Sequence, residues 1–371
     1  MRNVLFLVFI TALGYQVNAQ KYNKEVLDSM YTITTTFAEK IALAKKPQFI
    51  KVMAVGDIMM GTNFPEPHYL PPEGTDPFEK VKDVLSQADI LFGNLEGTLT
   101  DEGKNAKHCS DPSKCYSFRS PERFGKYLED AGFDVMSIAN NHIGDFGDIG
   151  IKNTSKTLAR HNIAYAGVFA QPSTIFEKNG ITYGFCAFAP NKDCLKIHNL
   201  TKAKEIVTEL KAKADIVIVS FHGGAEGFQH THVPRKTERF YGEDRGNVYK
   251  FAHEMIDAGA DIIFGHGPHV SRALEVYNNK FIAYSLGNFC TYSRFSLTGV
   301  KGYAPIAEVL IDTEGNFISG KLHSAKQIDE IYPFMDDDKG ALKEIKRLTE
   351  EDFPESKLVF KEDGSFIQQK D

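Results

Sequence analysis

Six short polar stations close apolar runs along the chain: Val55-Gly56-Asp57, Gly93-Asn94-Leu95-Glu96, Ala139-Asn140-Asn141-His142, Phe221-His222-Gly223-Gly224, Gly265-His266-Gly267-Pro268-His269 and Ser285-Leu286-Gly287-Asn288. Carboxylate, carboxamide and imidazole groups bind hard and borderline divalent cations. Delivery from the ends of several strands would hold such a site rigidly. One station alone would carry little weight. Their recurrence at the exits of expected strands makes a metal centre the leading explanation.

Each station has a plain structural reading beside the chemical one. Asp57 is either a metal ligand or a helix N-cap. Asn94 and Glu96 flank Leu95 and point the same way in an extended chain. Glu96, being charged, is the better ligand, with a turn at Glu96-Gly97 as its alternative. In Asn140-Asn141-His142 a carboxamide oxygen suits a metal and the adjacent imidazole suits proton transfer to a leaving group. Asp145 lies three residues further on, placed to orient His142. His222 ends the most apolar strand, where a lone His is commonly structural, but Gly223-Gly224 opens space beside it. His266 and His269 share one strand-exit turn and fit one or two metal ions. His230 and His232 sit in a charged loop and read as solvated surface. Arg119, Arg235, Arg239, Arg245 and Arg272 are candidates to clamp an anion, and the sequence does not rank them.

The elements that must position these groups alternate. Strands are expected over Ile50 to Val55, Ile90 to Phe92, Val135 to Ala139, Ile181 to Phe188, Ile216 to Phe221 and Ile262 to Phe264. Helices are expected over Phe78 to Gln87, Pro121 to Ala131, Gly150 to His161, Thr201 to Ala212 and Val248 to Ala258. From Ala273 to Ile311 the signal becomes strand-turn-strand, with turns at Asn278-Asn279 and Glu314-Gly315-Asn316. The charged tail from Asp336 reads as a surface helix followed by a frayed end. Such a succession implies an α/β core with mixed sheets. In open α/β sheets, ligands bind beyond the carboxyl ends of the strands, where the stations fall.

The N-terminus reads as an export signal. Arg2 precedes an apolar run from Val4 to Leu13, and Val17-Asn18-Ala19 forms a cleavage site before Gln20. A helix with apolar spacing over Val26 to Ile41 follows. The expected organisation is a signal peptide over 1–19, a helical segment over 20–47, the main domain over 48–325 and a C-terminal helical extension and tail over 326–371. A periplasmic or extracellular bacterial protein is expected, with no transmembrane segment after cleavage. Of the five cysteines, Cys109 and Cys115 flank a short turn and suit a disulfide. Cys186 and Cys194 form a candidate second pair, and Cys290 reads as a buried thiol. The net charge of −6 over 371 residues gives no reason to expect nucleic acid as a partner.

The order of these motifs resembles a known family. Asp145-Phe146-Gly147 follows the Asn-Asn-His station. Ser220 to Glu226 reads Ser-Phe-His-Gly-Gly-Ala-Glu, and Asp257-Ala258-Gly259-Ala260-Asp261 leads to the Gly-His-Gly-Pro-His turn. Tyr284-Ser285-Leu286-Gly287-Asn288-Phe289 closes the set. Together they are similar to the CapA/PgsA poly-gamma-glutamate capsule biosynthesis family, a divergent branch of the calcineurin-like metallophosphoesterases, over roughly Lys51 to Ile311. The resemblance implies a four-layer α-β-β-α sandwich of the metallophosphoesterase type with mixed sheets. It implies one or two divalent metal ions, without choosing among Mn, Zn, Fe and Mg. Their ligands would be Asp57, Glu96, Asn141, His222, His266 and His269, with His142 and Asp145 in catalysis. Two departures stand out. The wider superfamily begins with Asp-x-His where this chain reads Val55-Gly56-Asp57, and position 267 is Gly where the family often has His.

Two functions follow from this reading. One is an exported metal-dependent hydrolase acting on an anionic cell-surface substrate, either a gamma-glutamyl polymer or a phosphoester, with His142 as general acid. The other is a non-catalytic protein that binds an anionic polymer or supports capsule synthesis and export.

Overall fold

The computed structural model describes residues 47–107 and 115–369. The expected signal peptide, its cleavage site and the helix over Val26 to Ile41 lie outside those residues. The strand Phe49–Met59 is buried along nearly its whole length. A strand covered on both faces reads as a continuous apolar run, and the sequence here does. It is the centre of the larger of two mixed sheets. On one side it pairs in parallel with Ile90–Leu95, which leads to Val135–Ser137 and Ala164–Ala166. On the other it pairs antiparallel with Ile306–Asp312, followed by Phe317–His323, Ser365–Gln368 and Leu358–Phe360. Asn288–Thr291 pairs in parallel with its carboxyl end alone.

The second sheet runs Leu274–Tyr277, Lys280–Ala283, Ile262–His266, Ile216–His222, Ile181–Phe188 and Ser173–Lys178. Its four central strands are parallel. The sheets face each other across one apolar layer. Phe92 of the first stacks on Phe264 of the second at 5.1 Å and touches Phe185 at 5.7 Å. The outer face of the second sheet packs Val217, Val219 and Ile263 against helices Leu200–Lys211 and Val248–Asp257. Each helix starts on an asparagine cap: Asn199 accepts from the Lys202 amide at 3.1 Å and Asn247 from the Lys250 amide at 2.9 Å. Helices Gly125–Asp130 and Gly147–Arg160 bring Leu128 and Leu158 into the core of the first sheet. The result is the α-β-β-α sandwich with mixed sheets that the resemblance implied.

Several expectations need correction. The helix predicted over Phe78 to Gln87 is helical only at Lys82–Leu85, the rest being turns. The one from Pro121 begins as a tight turn at Glu122–Phe124 before Gly125–Asp130. Cys186 and Cys194 do not pair: both are free, buried thiols, as is Cys290. Cys115 is disulfide-bonded, and its expected partner Cys109 lies outside the described residues. The tail is not a frayed end after a helix. Beyond helix Gly340–Asp352, strands Leu358–Phe360 and Ser365–Gln368 extend the larger sheet. The boundary drawn at 326 therefore disappears, because Gln48–Asp371 forms one compact unit.

Candidate metal centre

Parallel strands bring their carboxyl ends to one edge, and the polar stations lie there. In the first sheet Asp57 is in register with Asn94 on one side and Asn288 on the other. The strand bulges between Ala54 and Asp57, which re-aims the carboxylate as bulges do. Gly56 makes the junction possible: a Cβ there would lie 2.1 Å from the Gly287 carbonyl oxygen. The Asp57 amide donates to that same oxygen at 2.8 Å. In the second sheet His222 and His266 are register partners on adjacent parallel strands.

The side chains meet in a cluster in which Asp57, Glu96, His222 and His266 are buried and His269 is half-buried. His266 Nδ1 lies 3.2 Å from Asp57 Oδ1, and His269 Nδ1 lies 3.0 Å from Asp57 Oδ2. His269 Nε2 is 3.6 Å and His142 Nε2 3.9 Å from Glu96 Oε1. The His222 and His269 ring centroids are 6.3 Å apart. One ligand atom each from Asp57, Glu96 and His269 lie within 4.8 Å of one another.

The fit of a cation rests on what these atoms lack. Asp57 Oδ2, both Glu96 oxygens, Asn141 Oδ1 and both ring nitrogens of His222 and of His266 are buried without a hydrogen-bond partner. The close contacts from Asp57 to the two imidazoles are short in distance but lack hydrogen-bond geometry for these atoms. So many orphaned acceptors in one place are costly and rare in native proteins. Lone pairs directed at a common point are what ligands of one ion present. Ligands ~2.1 Å from a metal are separated by ~3.0 Å at octahedral and ~3.4 Å at tetrahedral angles, which brackets the two imidazole contacts to Asp57 but not the longer ones to Glu96. The donor set of carboxylate, carboxamide and imidazole suits a divalent cation.

The electrostatics agree. Burial raises the Asp57 carboxyl, but the His266 and His269 imidazoles more than reverse this and hold it far below the usual range. Burial pushes Glu96 up to about 8. Burial pulls His269 down, yet the Glu96 and Asp57 carboxylates outweigh it and carry it up to about 10. Burial also holds His142 below its ordinary value and His222 well below. A proton on His269 and a cation are thus alternatives for neutralising the same carboxylates.

Around the cluster a second set of contacts fixes orientation. Asn94 Nδ2 donates to Asp57 Oδ1 at 2.8 Å, and Asn140 Nδ2 to the Leu95 carbonyl at 2.8 Å. His269 Nδ1 also lies 3.1 Å from Asn288 Oδ1. Asp145 Oδ2 lies 2.8 Å from His142 Nδ1 and accepts from the Phe118 amide at 2.8 Å. The cluster opens into a cleft of about 600 Å³ whose lining includes Asn141, His142 and His269.

One side chain at the site, Lys107, escaped the sequence reading, and two of the arginines it named without ranking, Arg272 and Arg245, are buried. Lys107 Nζ sits 3.0 Å from Asp145 Oδ1 and 3.1 Å from His142 Nδ1, although it follows a charged stretch that reads as a solvated loop. Arg272 is fully buried and grips Glu238 through both terminal nitrogens, at 2.9 and 2.8 Å. Arg245 is buried and lines the cleft. Arg235 and Arg239 are exposed, and so is His232, paired with Asp352 at 2.7 Å.

A two-sheet α/β sandwich carrying a carboxylate–imidazole cluster at its parallel strand ends defines an α-β-β-α sandwich protein with a candidate metal site. Within it, the chain belongs to the bacterial capsule synthesis protein family PGA_cap, which it matches over residues 51–293. It is 34% identical over 259 residues to the capsule biosynthesis protein CapA of Bacillus anthracis, covering 63% of this chain and 58% of that protein. It is 34% identical over 254 residues to the PGA biosynthesis protein CapA of Bacillus subtilis, covering 63% and 61%. The chain thus spans about three fifths of the length of these relatives. A 5′-nucleotidase precursor from Thermus thermophilus aligns at a TM-score of 0.42 and 12% identity, covering 74% of this chain and 54% of that one.

Proposed function

We propose that the chain is an exported, metal-dependent hydrolase acting on an anionic cell-surface substrate, a gamma-glutamyl polymer or a phosphoester. The observations that support this reading are the grouping of ligand atoms of Asp57, Glu96 and His269 within 4.8 Å of one another and the buried, unpartnered atoms of Asp57, Glu96, Asn141, His222 and His266. Asp57, Glu96, Asn141, His222, His266 and His269 are the residues assigned to hold one or two divalent cations. A bound divalent cation supplies Lewis-acid polarisation of the scissile group and lowers the pKa of water toward ~7.

The chain's own residues do the rest. Asp145 holds the Nδ1 side of His142 and turns Nε2 toward the cluster. His142 is assigned the proton transfer from Nε2 to the leaving group. Lys107 fixes Asp145 from its other oxygen. Phe118 lies tilted against the His142 ring at 4.2 Å and Phe295 lies 5.7 Å from the His269 ring, which puts apolar surface on that side. Asn94, Asn140 and Asn288 orient Asp57 and His269.

A second reading has its own support. The relatives are named for biosynthesis, and the position two after Asp57 is Met59, a soft, buried side chain and not an imidazole. A site that only binds an anionic polymer during capsule assembly would carry the same cluster. No helix among the described residues is long and apolar enough to cross a membrane. Elemental analysis of the purified protein, with turnover of phosphomonoesters, phosphodiesters and gamma-glutamyl peptides before and after chelation, separates the readings. Bound metal with chelator-sensitive turnover supports the hydrolase, bound metal without turnover supports binding, and a metal-free protein that takes up none refutes both.

A further inference from the structure

The cleft carries a charge opposite to that of the chain. Against a net −6 overall, the charged residues lining it are four basic (Lys107, Arg245, Arg294, Lys301) and two acidic (Glu226, Glu243), a balance of 4 − 2 = +2. They come from the segments that follow strands of both sheets. Lys107 follows Ile90–Leu95, Arg294 and Lys301 follow Asn288–Thr291, and Arg245 follows Ile216–His222. An excess of one sign of charge along a cleft favours ligands of the other.

Two of the four basic residues hold a buried guanidinium nitrogen without a hydrogen-bond partner, Arg245 at Nη2 and Arg294 at Nε. Lys107 is engaged by Asp145, Lys301 donates to Ser296, and Arg294 lies between the rings of Tyr69 and Tyr116. The Arg245 side chain is only 3% exposed, and its Nε donates to the Gly224 carbonyl at 3.1 Å. Its Nη2 is 3.0 Å from Glu226 Oε1, yet the contact lacks hydrogen-bond geometry and Nη2 has no proper acceptor. Glu243 is more remote, at 3.9 Å from Nη1. A buried guanidinium holding unspent donor capacity at a cleft wall is a group prepared for an incoming acceptor. The planar fork suits a carboxylate better than an ammonium would.

We infer that Arg245 is a specificity-determining residue: its guanidinium receives a carboxylate of the ligand beside the metal cluster, and Glu226 moderates it by competing for Nη2. The inference rests on the proposed function only in that the ligand enters this cleft. Asn191 Oδ1, another cleft atom buried without a partner, offers a place for an N–H of the same ligand.

The test uses full-length protein, fluorescein-labelled hexaglutamate and its hexaglutamine counterpart, read by anisotropy. The wild type should prefer hexaglutamate. Arg245→Gln should weaken hexaglutamate about 10- to 100-fold, the worth of one charge-assisted hydrogen bond, and leave hexaglutamine unchanged. Arg245→Lys should recover only part of the loss. Glu226→Gln should tighten hexaglutamate, a direction that no structural damage would produce, so it decides the matter even where Arg245→Gln fails to fold. No preference in the wild type overturns the inference. So does an Arg245→Gln variant that binds normally, or weakening by both Arg245→Gln and Glu226→Gln. Absent turnover of phosphoesters and gamma-glutamyl peptides, with the Arg245 effect intact, refutes the hydrolase and leaves the subsite standing.

Discussion

Replacing Gly56 with alanine should dismantle the metal centre through one methyl group. The added Cβ would sit 2.1 Å from the Gly287 oxygen and 2.7 Å from the Leu286 oxygen. Both are backbone atoms, so no side-chain rotation relieves the clash. Reaching an ordinary separation means parting the Phe49–Met59 strand from the Ser285–Asn288 turn by roughly 1 Å, a strain of the kind that costs ~1–3 kcal/mol in packed interiors. The same movement breaks the buried Asp57 N–H bond to Gly287, for about 1 kcal/mol more. The expected loss is ~2–4 kcal/mol of unfolding free energy. Because metal ligands tolerate errors of only ~0.5 Å, Asp57 should also lose its grip on the ion. Gly180→Ala is the control. Gly180 has φ +75° but nothing within 4 Å of a new Cβ, so it should cost ~1 kcal/mol from backbone strain alone and leave metal content unchanged. Urea unfolding and elemental analysis of the two variants decide the matter. If Gly56→Ala matches wild type in stability and metal content, the account of this junction is wrong.

His142→Ala should cut turnover 10²- to 10⁴-fold, the usual worth of a positioned proton donor, with metal content near normal, whereas His222→Ala should lower metal occupancy; elemental analysis beside kinetics reads both. Arg272→Ala should destabilise by ~3–5 kcal/mol in denaturant titration, since it strands Glu238 as a buried carboxylate without its partner. Asp336→Asn should cost ~1–2 kcal/mol at pH 7, because Asp336 Oδ1 pairs with Lys326 at 2.7 Å and Oδ2 accepts from the Gly340 amide at 2.8 Å. Burial raises that carboxyl, but Lys326 and the Gly340 amide outweigh it and hold it below its ordinary value. Its contribution is therefore present above the unfolded pKa of ~3.9 and fades as pH falls through the lower folded one. Denaturant midpoints of wild type and variant should converge toward pH 2.

What was legible in the sequence follows from how each feature is encoded. Parallel strands buried on both faces leave continuous apolar runs, so Ile181–Phe188 was read to the residue and Ile216–His222 to within one. A polar residue closing such a run marks the carboxyl edge, which is why Asp57, His222 and His266 were singled out. The Asn278-Asn279 turn was legible because asparagine tolerates left-handed backbone, and both residues adopt it at φ 50° and 62°. Long-range pairing leaves no such trace. Nothing in Asn288–Thr291 announces that it lies parallel to residues Asp57 to Met59. The strands Leu358–Phe360 and Ser365–Gln368 are too short for period-two alternation to rise above a charged tail. Lys107 was hidden, and Arg245 and Arg272 could not be ranked among the five candidate arginines, because a basic side chain outside the apolar runs is ordinarily solvated. Only the fold shows which carboxylate meets it.

The placement of Phe49–Met59 at the centre of the larger sheet has a kinetic consequence. Val52 pairs with Val309, 257 positions further along the chain. Closing such a loop costs about 5 kcal/mol of chain entropy by the logarithmic rule, before any contact rewards it. Folds dominated by such distant pairings form slowly. A nascent chain that has emerged only as far as Asn288 holds every ligand of the cluster but no antiparallel neighbour for its first strand. That strand then presents an unpaired edge of Val52, Met53, Ala54 and Val55. Ile306–Asp312 must therefore be delivered before the larger sheet can close on that edge.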